Sequence, residues 1–161
     1  MNVAGIAFAD VLERIARSVL RELDNLPDDV LNRPVPIPEG NSLFAIATHL
    51  IGAGEFWVLA LAGGRQLDRD RDAEFRATGT YADLEVRYSR WVSDVRDVLT
   101  HLHPEAWTRT VTPPPQFTGS LGPESMTLRD CVLHAVEHSA LHLGHVQLTR
   151  SSIVAVREQS L

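Results

Sequence analysis

Four histidines recur at short intervals near the end of the 161-residue chain, in the stretch His134-Ala-Val-Glu137-His138-Ser-Ala-Leu-His142-Leu-Gly144-His145. A helix turns by about 100° per residue, so the four imidazoles fall within an arc of roughly 80° and share one face. Two histidines four residues apart on a helix can chelate one divalent ion through neutral ring nitrogens. Both His134 with His138 and His138 with His142 have that spacing. Two ligands from one helix are too few for a metal centre, so a third must come from another element.

His49 is the natural third ligand. It stands in the stretch Leu43 to Gly63, which is apolar nearly all round apart from Thr48, His49 and Glu55, as expected of a helix buried in a bundle centre. A polar ring on such a helix needs a partner. For a lone histidine, a hydrogen-bonded place in the core is the ordinary explanation. The stripe on the last helix changes that balance, because solvated faces favour Lys, Glu and Arg, and beyond Glu137 the stretch has none before Arg150. Ala45, Gly52 and Ala53 sit about one turn either side of His49. Small residues there let a neighbouring helix approach or leave space above an ion. Glu137 points about 100° away from His138 and reads as a supporting or solvent-facing group. Asp130, one turn before His134, could orient that ring or cap the helix. His101 and His103, beside Pro104, read as surface residues. Cys131 lies between apolar residues in a helical pattern and reads as a buried thiol, not a nucleophile.

Four long helical patterns position these residues. From Ile6 to Leu23 the apolar residues Phe8, Val11, Leu12, Ile15, Val19 and Leu23 form one stripe against a charged face. Leu26 to Gly40 contains Pro27, Pro34, Pro36 and Pro38, which predict a stiff, extended crossover without regular helix. Asn41 or Ser42 caps the second helix, which ends near Gly63. Gly64 to Gly79 is densely charged and reads as a surface connection with at most a short helical turn. A Thr80–Asp83 capping box opens a third helix carrying Leu84, Tyr88, Trp91, Val95, Val98 and Leu102, which Pro104 ends. An irregular stretch rich in proline and glycine runs to Pro123, and loops of such length in a small domain often serve a function or an interface. Thr127 and Asp130 open the fourth helix; beyond Arg150, helix and disorder fit the sequence equally. With no convincing strand pattern, the chain is expected to be all-α: a single-domain four-helix bundle over residues 1–161, with long crossover connections that permit an order other than simple up-and-down.

Composition narrows the function. At 44% hydrophobic residues the chain can bury a real core, and its net charge of −6, with Arg spread among Asp and Glu, gives phosphate-backbone binding no driving force. No nucleic acid partner is expected. One cysteine excludes an internal disulfide framework. The first stretch carries Asp10, Glu13, Arg14 and Arg17, unlike the apolar core of a signal peptide, and no uncharged run approaches membrane-spanning length. The expectation is a soluble cytoplasmic protein without membrane contact. Trp57, Trp91 and Trp107 are candidates for core or dimer contacts, and a homodimer is expected.

The motif Ala47-Thr48-His49-Leu50-Ile51-Gly52-Ala53-Gly54-Glu55-Phe56-Trp57, together with His134-x3-His138-x3-His142-x-Gly144, resembles the DinB/YfiT-like four-helix-bundle superfamily, and the resemblance extends over nearly the whole chain. It implies a metal held by one histidine of the second helix and two, four apart, of the last helix. These map onto His49, His138 and His142. It also implies metal-dependent chemistry with a low-molecular-weight thiol, as in the bacillithiol- or mycothiol-dependent S-transferases and maleylpyruvate isomerase of that superfamily. Many of its members have no known activity. The chain departs from the pattern at His145, where the superfamily often has Gln. His145 is therefore a candidate fourth ligand or a base.

The leading expectation is an enzyme with a divalent ion, zinc or nickel, that activates a small-molecule thiol for transfer to an electrophile, its site opening toward the loop from Arg109 to Pro123. Imidazole also suits copper and iron. A hydrolase that uses the ion to activate water, with Glu137 or His145 as base, is one alternative. Another is a non-enzymatic, metal-stabilised, stress-related binding protein in which His145 closes the coordination shell.

Overall fold

The computed structural model describes residues 2–38, 40–118 and 125–158, the last five of these by their helical backbone alone. Four long helices dominate: α1 (Val3–Leu23), α3 (Leu43–Gly54, continued by a π-helix over Glu55–Ala62), α5 (Tyr81–His101) and α7 (Leu128–Glu158). Between them lie the short helices α2 (Asp28–Leu31), α4 (Arg71–Arg76) and α6 (Pro115–Thr118), and a 3-10 turn over Pro104–Thr108. Among the described residues the only β-structure is a two-residue ladder, β1 (Thr110–Val111) against β2 (Met126–Thr127), antiparallel with Thr110 opposite Thr127. The all-α class expected from the sequence stands. Strands of two residues are too short to leave an alternating pattern, but this pair, with the bond from the Leu128 amide to the Arg109 carbonyl, pins the loop to the start of α7.

Each long helix begins where its cap chemistry dictates. Asn2 accepts the Gly5 amide, Ser42 accepts that of Ala45, and Thr80 and Asp83 complete a reciprocal capping box. The Thr127 hydroxyl donates to Asp130, and the Asp130 amide donates back to Thr127. Asp130 is thus a capping residue at the start of α7. The prolines of the first crossover exclude helix from Arg33 onward but not before it. Pro27 stands just ahead of a single helical turn that buries Val30 and Leu31. Asn32 then bonds both the amide and the carbonyl of Gly79, tying this crossover to the second connection.

The helices do not follow a simple up-and-down circuit. Helix α1 lies against α5 and α7, and α3 with its π continuation lies against α7 and α5. The first and second long helices therefore occupy opposite corners, which the long crossovers permit. Leu12, Val19, Leu50, Ile51, Trp57, Tyr88, Trp91 and Leu99 fill the centre, each no more than 1% exposed. Trp57 and Trp91 are core residues, and Trp107 packs at the edge against Phe8, with ring centroids 5.6 Å apart. Gly54 lets Trp91 press against α3, since a Cβ there would lie 2.4 Å from the indole Cζ2. Leu43–Ala62 is, by length and composition alone, apolar enough to cross a membrane, although Glu55 divides it into shorter uncharged runs, as expected from the sequence. Only Glu55 interrupts it near its middle, and here nearly all of it is buried inside the bundle, as for the core helix of a globular domain.

Candidate metal centre

Helix α3 places His49 on the face turned toward α7, and α7 places His138 and His142 one turn apart opposite it. The His49 ring centroid lies 5.1 Å from that of His138 and 4.8 Å from that of His142, and the last two are 4.3 Å apart. One donor nitrogen from each ring lies within 4.8 Å of the other two. Imidazole nitrogens bound tetrahedrally to one ion at about 2.0–2.1 Å would stand roughly 3.3 Å apart, so a side-chain adjustment on the order of 1 Å closes the group. The donor set suits a divalent ion. A further observation agrees: Nδ1 of His138 is buried and has no hydrogen-bond partner, a costly state for a polar atom unless something is meant to meet it.

The electrostatics keep His138 and His142 neutral, the form in which imidazole is a ligand. Burial, reinforced by the neighbouring His142, His49 and His134 rings and by Arg69, pushes His138 down to about 2. Burial, with His49, His145 and Arg71, lowers His142 to about 4.

The remaining histidines separate from the three. His134 is half-buried, its ring edge-on to Trp57 at 4.4 Å and 5.9 Å from that of His138, and burial lowers its pKa. It stands outside the three-His group. So does His145, which is exposed and meets His142 through the two Nδ1 atoms, 3.3 Å apart. That contact leaves the Nε2 of His142 for the group. Glu137 is exposed, and His101 and His103 are exposed at the end of α5. Cys131 is fully buried, and burial together with Asp130 pushes its thiol up to about 11.

The connection from Gly64 to Gly79 is more than a surface link. Within it α4 forms, capped by Asp70 accepting the Ala73 amide, and packs against α3. It delivers Glu74, 6% exposed, whose Oε2 lies 2.8 Å from Nδ1 of His49. Arg69 grips the same carboxylate with two bonds, Nε to Oε1 at 2.7 Å and Nη2 to Oε2 at 2.9 Å. Burial by itself would raise the Glu74 pKa, but the bonds and charges of His49 and Arg69 outweigh it and hold the group below its ordinary value. Phe75 stacks on His49 at 4.4 Å, and the Arg71 guanidinium lies 5.3 Å from the Phe75 ring. Gly52 faces this carboxylate: a Cβ there would sit 2.0 Å from Glu74 Oε1. The small residue one turn after His49 therefore makes room for Glu74, not for an ion.

Sequence reasoning missed Glu74 and Arg69 because alternating Arg and Asp read as a solvated face. The available signals were slight: an Asp70 cap, one aromatic residue at Phe75 amid charges, and a glycine beside His49. The loop that follows α5 also reaches this region. Phe117 packs on Phe56 at 4.6 Å and lies 5.1 Å from the Arg69 guanidinium. The loop thus meets the support of the three-His group, and residues 119–123 of the expected site opening lie outside the described residues.

A split of three histidines between the second and fourth long helices, in a bundle with long crossovers, is the feature that the resemblance anticipated. The family model of the DinB superfamily matches residues 12–146, a span that includes all three. The chain belongs to the DinB superfamily. No individual protein of curated function gives a match. The matched span starts within α1 and ends at Val146 in α7, so this DinB bundle carries its histidine group inside the part of the chain common to the superfamily.

Proposed function

We propose that His49, His138 and His142 hold one divalent ion, zinc or nickel, and that the protein is a metal-dependent enzyme that activates a low-molecular-weight thiol for transfer or conjugation to an electrophile. The observation that carries the metal reading is the convergence of three donor nitrogens within 4.8 Å from two helices far apart in sequence. When bound, such an ion supplies a positive charge and an open position that acidify a thiol brought to it, so that the reactive thiolate is present at neutral pH.

The chain's own groups support this chemistry. His138 and His142 stay neutral far below ordinary histidine values, so protons compete weakly for their lone pairs. Among the described residues three histidines converge, and His145 meets His142 from outside the group, which favours an open site over a closed structural one. The protein's single thiol is buried and hard to ionise, so the nucleophile is supplied by a second molecule. Glu137 is exposed and its charge acts on His134, which stands outside the three-His group, so the hydrolytic reading gains no support from it.

Elemental analysis of untagged protein tests the reading, for wild type and for His49→Ala, His138→Ala, His142→Ala and His145→Ala. About one metal ion per chain is expected in wild type and His145→Ala and in none of the other three. Metal-free wild type after reloading with zinc or nickel would refute the site. Loss in all four variants would instead make the ion structural. With the metal established, absorbance assays of thiol consumption with simple electrophiles test the transfer reaction, and its absence over a broad thiol panel would refute that half.

A further inference from the structure

We infer that Glu74 is a positioning residue for the metal ligand His49: it fixes the imidazole in the tautomer protonated on Nδ1, so that Nε2 presents its lone pair to the group formed with His138 and His142. This inference rests in part on the metal reading above, but its first observable does not require a metal.

Three independent features converge on that carboxylate. Its Oε2 lies 2.8 Å from His49 Nδ1, and a carboxylate can only accept, so Nδ1 must carry the proton. Arg69 occupies both oxygens from the other side, and the side chains of Arg69 and Glu74 are only 7% and 8% exposed. The planar fork of the guanidinium therefore holds the carboxylate in one orientation. Gly52 supplies the space: any side chain there would collide with Glu74 Oε1.

The competing explanation is a simple clamp between α4 and α3. A buried ion pair is a poor clamp, because desolvating both charges offsets most of their attraction and well-packed apolar residues would hold the helices as well. What apolar residues cannot do is choose which nitrogen of His49 carries the proton. Partners of this kind raise ligand basicity and orient the ring, and their removal characteristically costs 10- to 100-fold in metal affinity. Phe75, stacked on the same ring at 4.4 Å, restricts its remaining rotation.

Long-range 15N–1H NMR of uniformly labelled, zinc-free protein reads the tautomer directly. His49 is expected with its proton on Nδ1, and a proton on Nε2 overturns the inference. Zinc affinity, measured by competition with a chromophoric chelator, is expected to fall about 10- to 100-fold in Glu74→Gln. The tautomer signal should also lose its single-form character, since the amide can donate as well as accept. Gly52→Ala, which leaves Glu74 and Arg69 in place but displaces the carboxylate, is expected to lower zinc affinity in the same way and decides the matter if Glu74→Gln does not fold. A folded variant of either kind with wild-type zinc affinity overturns the inference. Wild type that binds no zinc overturns the metal reading instead, and the tautomer measurement still decides the role of Glu74.

Discussion

Acidifying the metal-free protein should destabilise it well before its carboxylates titrate. In the unfolded chain a histidine takes up its proton near pH 6.5. In the folded chain burial and mutual repulsion hold His138 down to about 2 and His142 to about 4. Both folded values lie below the unfolded one, so the stability contribution is complete above about pH 6.5. It is lost as pH falls toward the folded values. Between pH 7 and pH 5 each ring costs about 2 kcal/mol, and this figure barely changes for any folded value below about 4. Each ring is half-buried, so solvent screening reduces the joint loss to about 3 kcal/mol. His134 shifts in the same direction, while Glu74 acts only below its ordinary range. Urea unfolding of chelator-treated protein at the two pH values measures the difference, read from the midpoint at constant slope. A loss under about 1 kcal/mol, or an equal loss in the His138→Gln/His142→Gln double variant, would refute the assignment to these two rings.

The remaining expectations concern groups around the site. Cys131, with its thiol buried and pushed up to about 11, should resist a thiol-reactive chromogen at pH 7.5 until denaturant is added. Immediate stoichiometric labelling of the native protein would show that the thiol is accessible and reopen its role as nucleophile. Gly54→Ala should cost about 1–3 kcal/mol, seen as a fall of several degrees in Tm, because the new methyl would lie 2.4 Å from Trp91 Cζ2 in a filled core. An unchanged Tm would mean that α3 and α5 are less tightly packed than their contact implies.

The sequence by itself determined the helices and the residue types of the candidate site. Period-3.6 patterning, cap residues and prolines mark where each long helix starts and stops, because those signals act over a few residues and need no tertiary context. Ser42, Thr80 and Thr127 cap where expected. The histidine stripe was legible for the same reason: spacing along one helix dictates a shared face. Spacing did not decide between His134 and His142 as partner of His138, and His145 lay on the same arc. Tertiary structure separates them, because only His138 and His142 come near His49, while His134 turns toward Trp57 and His145 stays outside. The charged connection shows the limit most clearly. Locally, Arg69 and Glu74 resemble any solvated face, and only the packing of α4 onto α3, with Gly52 yielding the space, takes their charges out of water and joins them to His49. Burial is set by what the rest of the chain lays over a residue, so the support beneath His49 is decided by the fold even where the histidine stripe itself can be read from the chain.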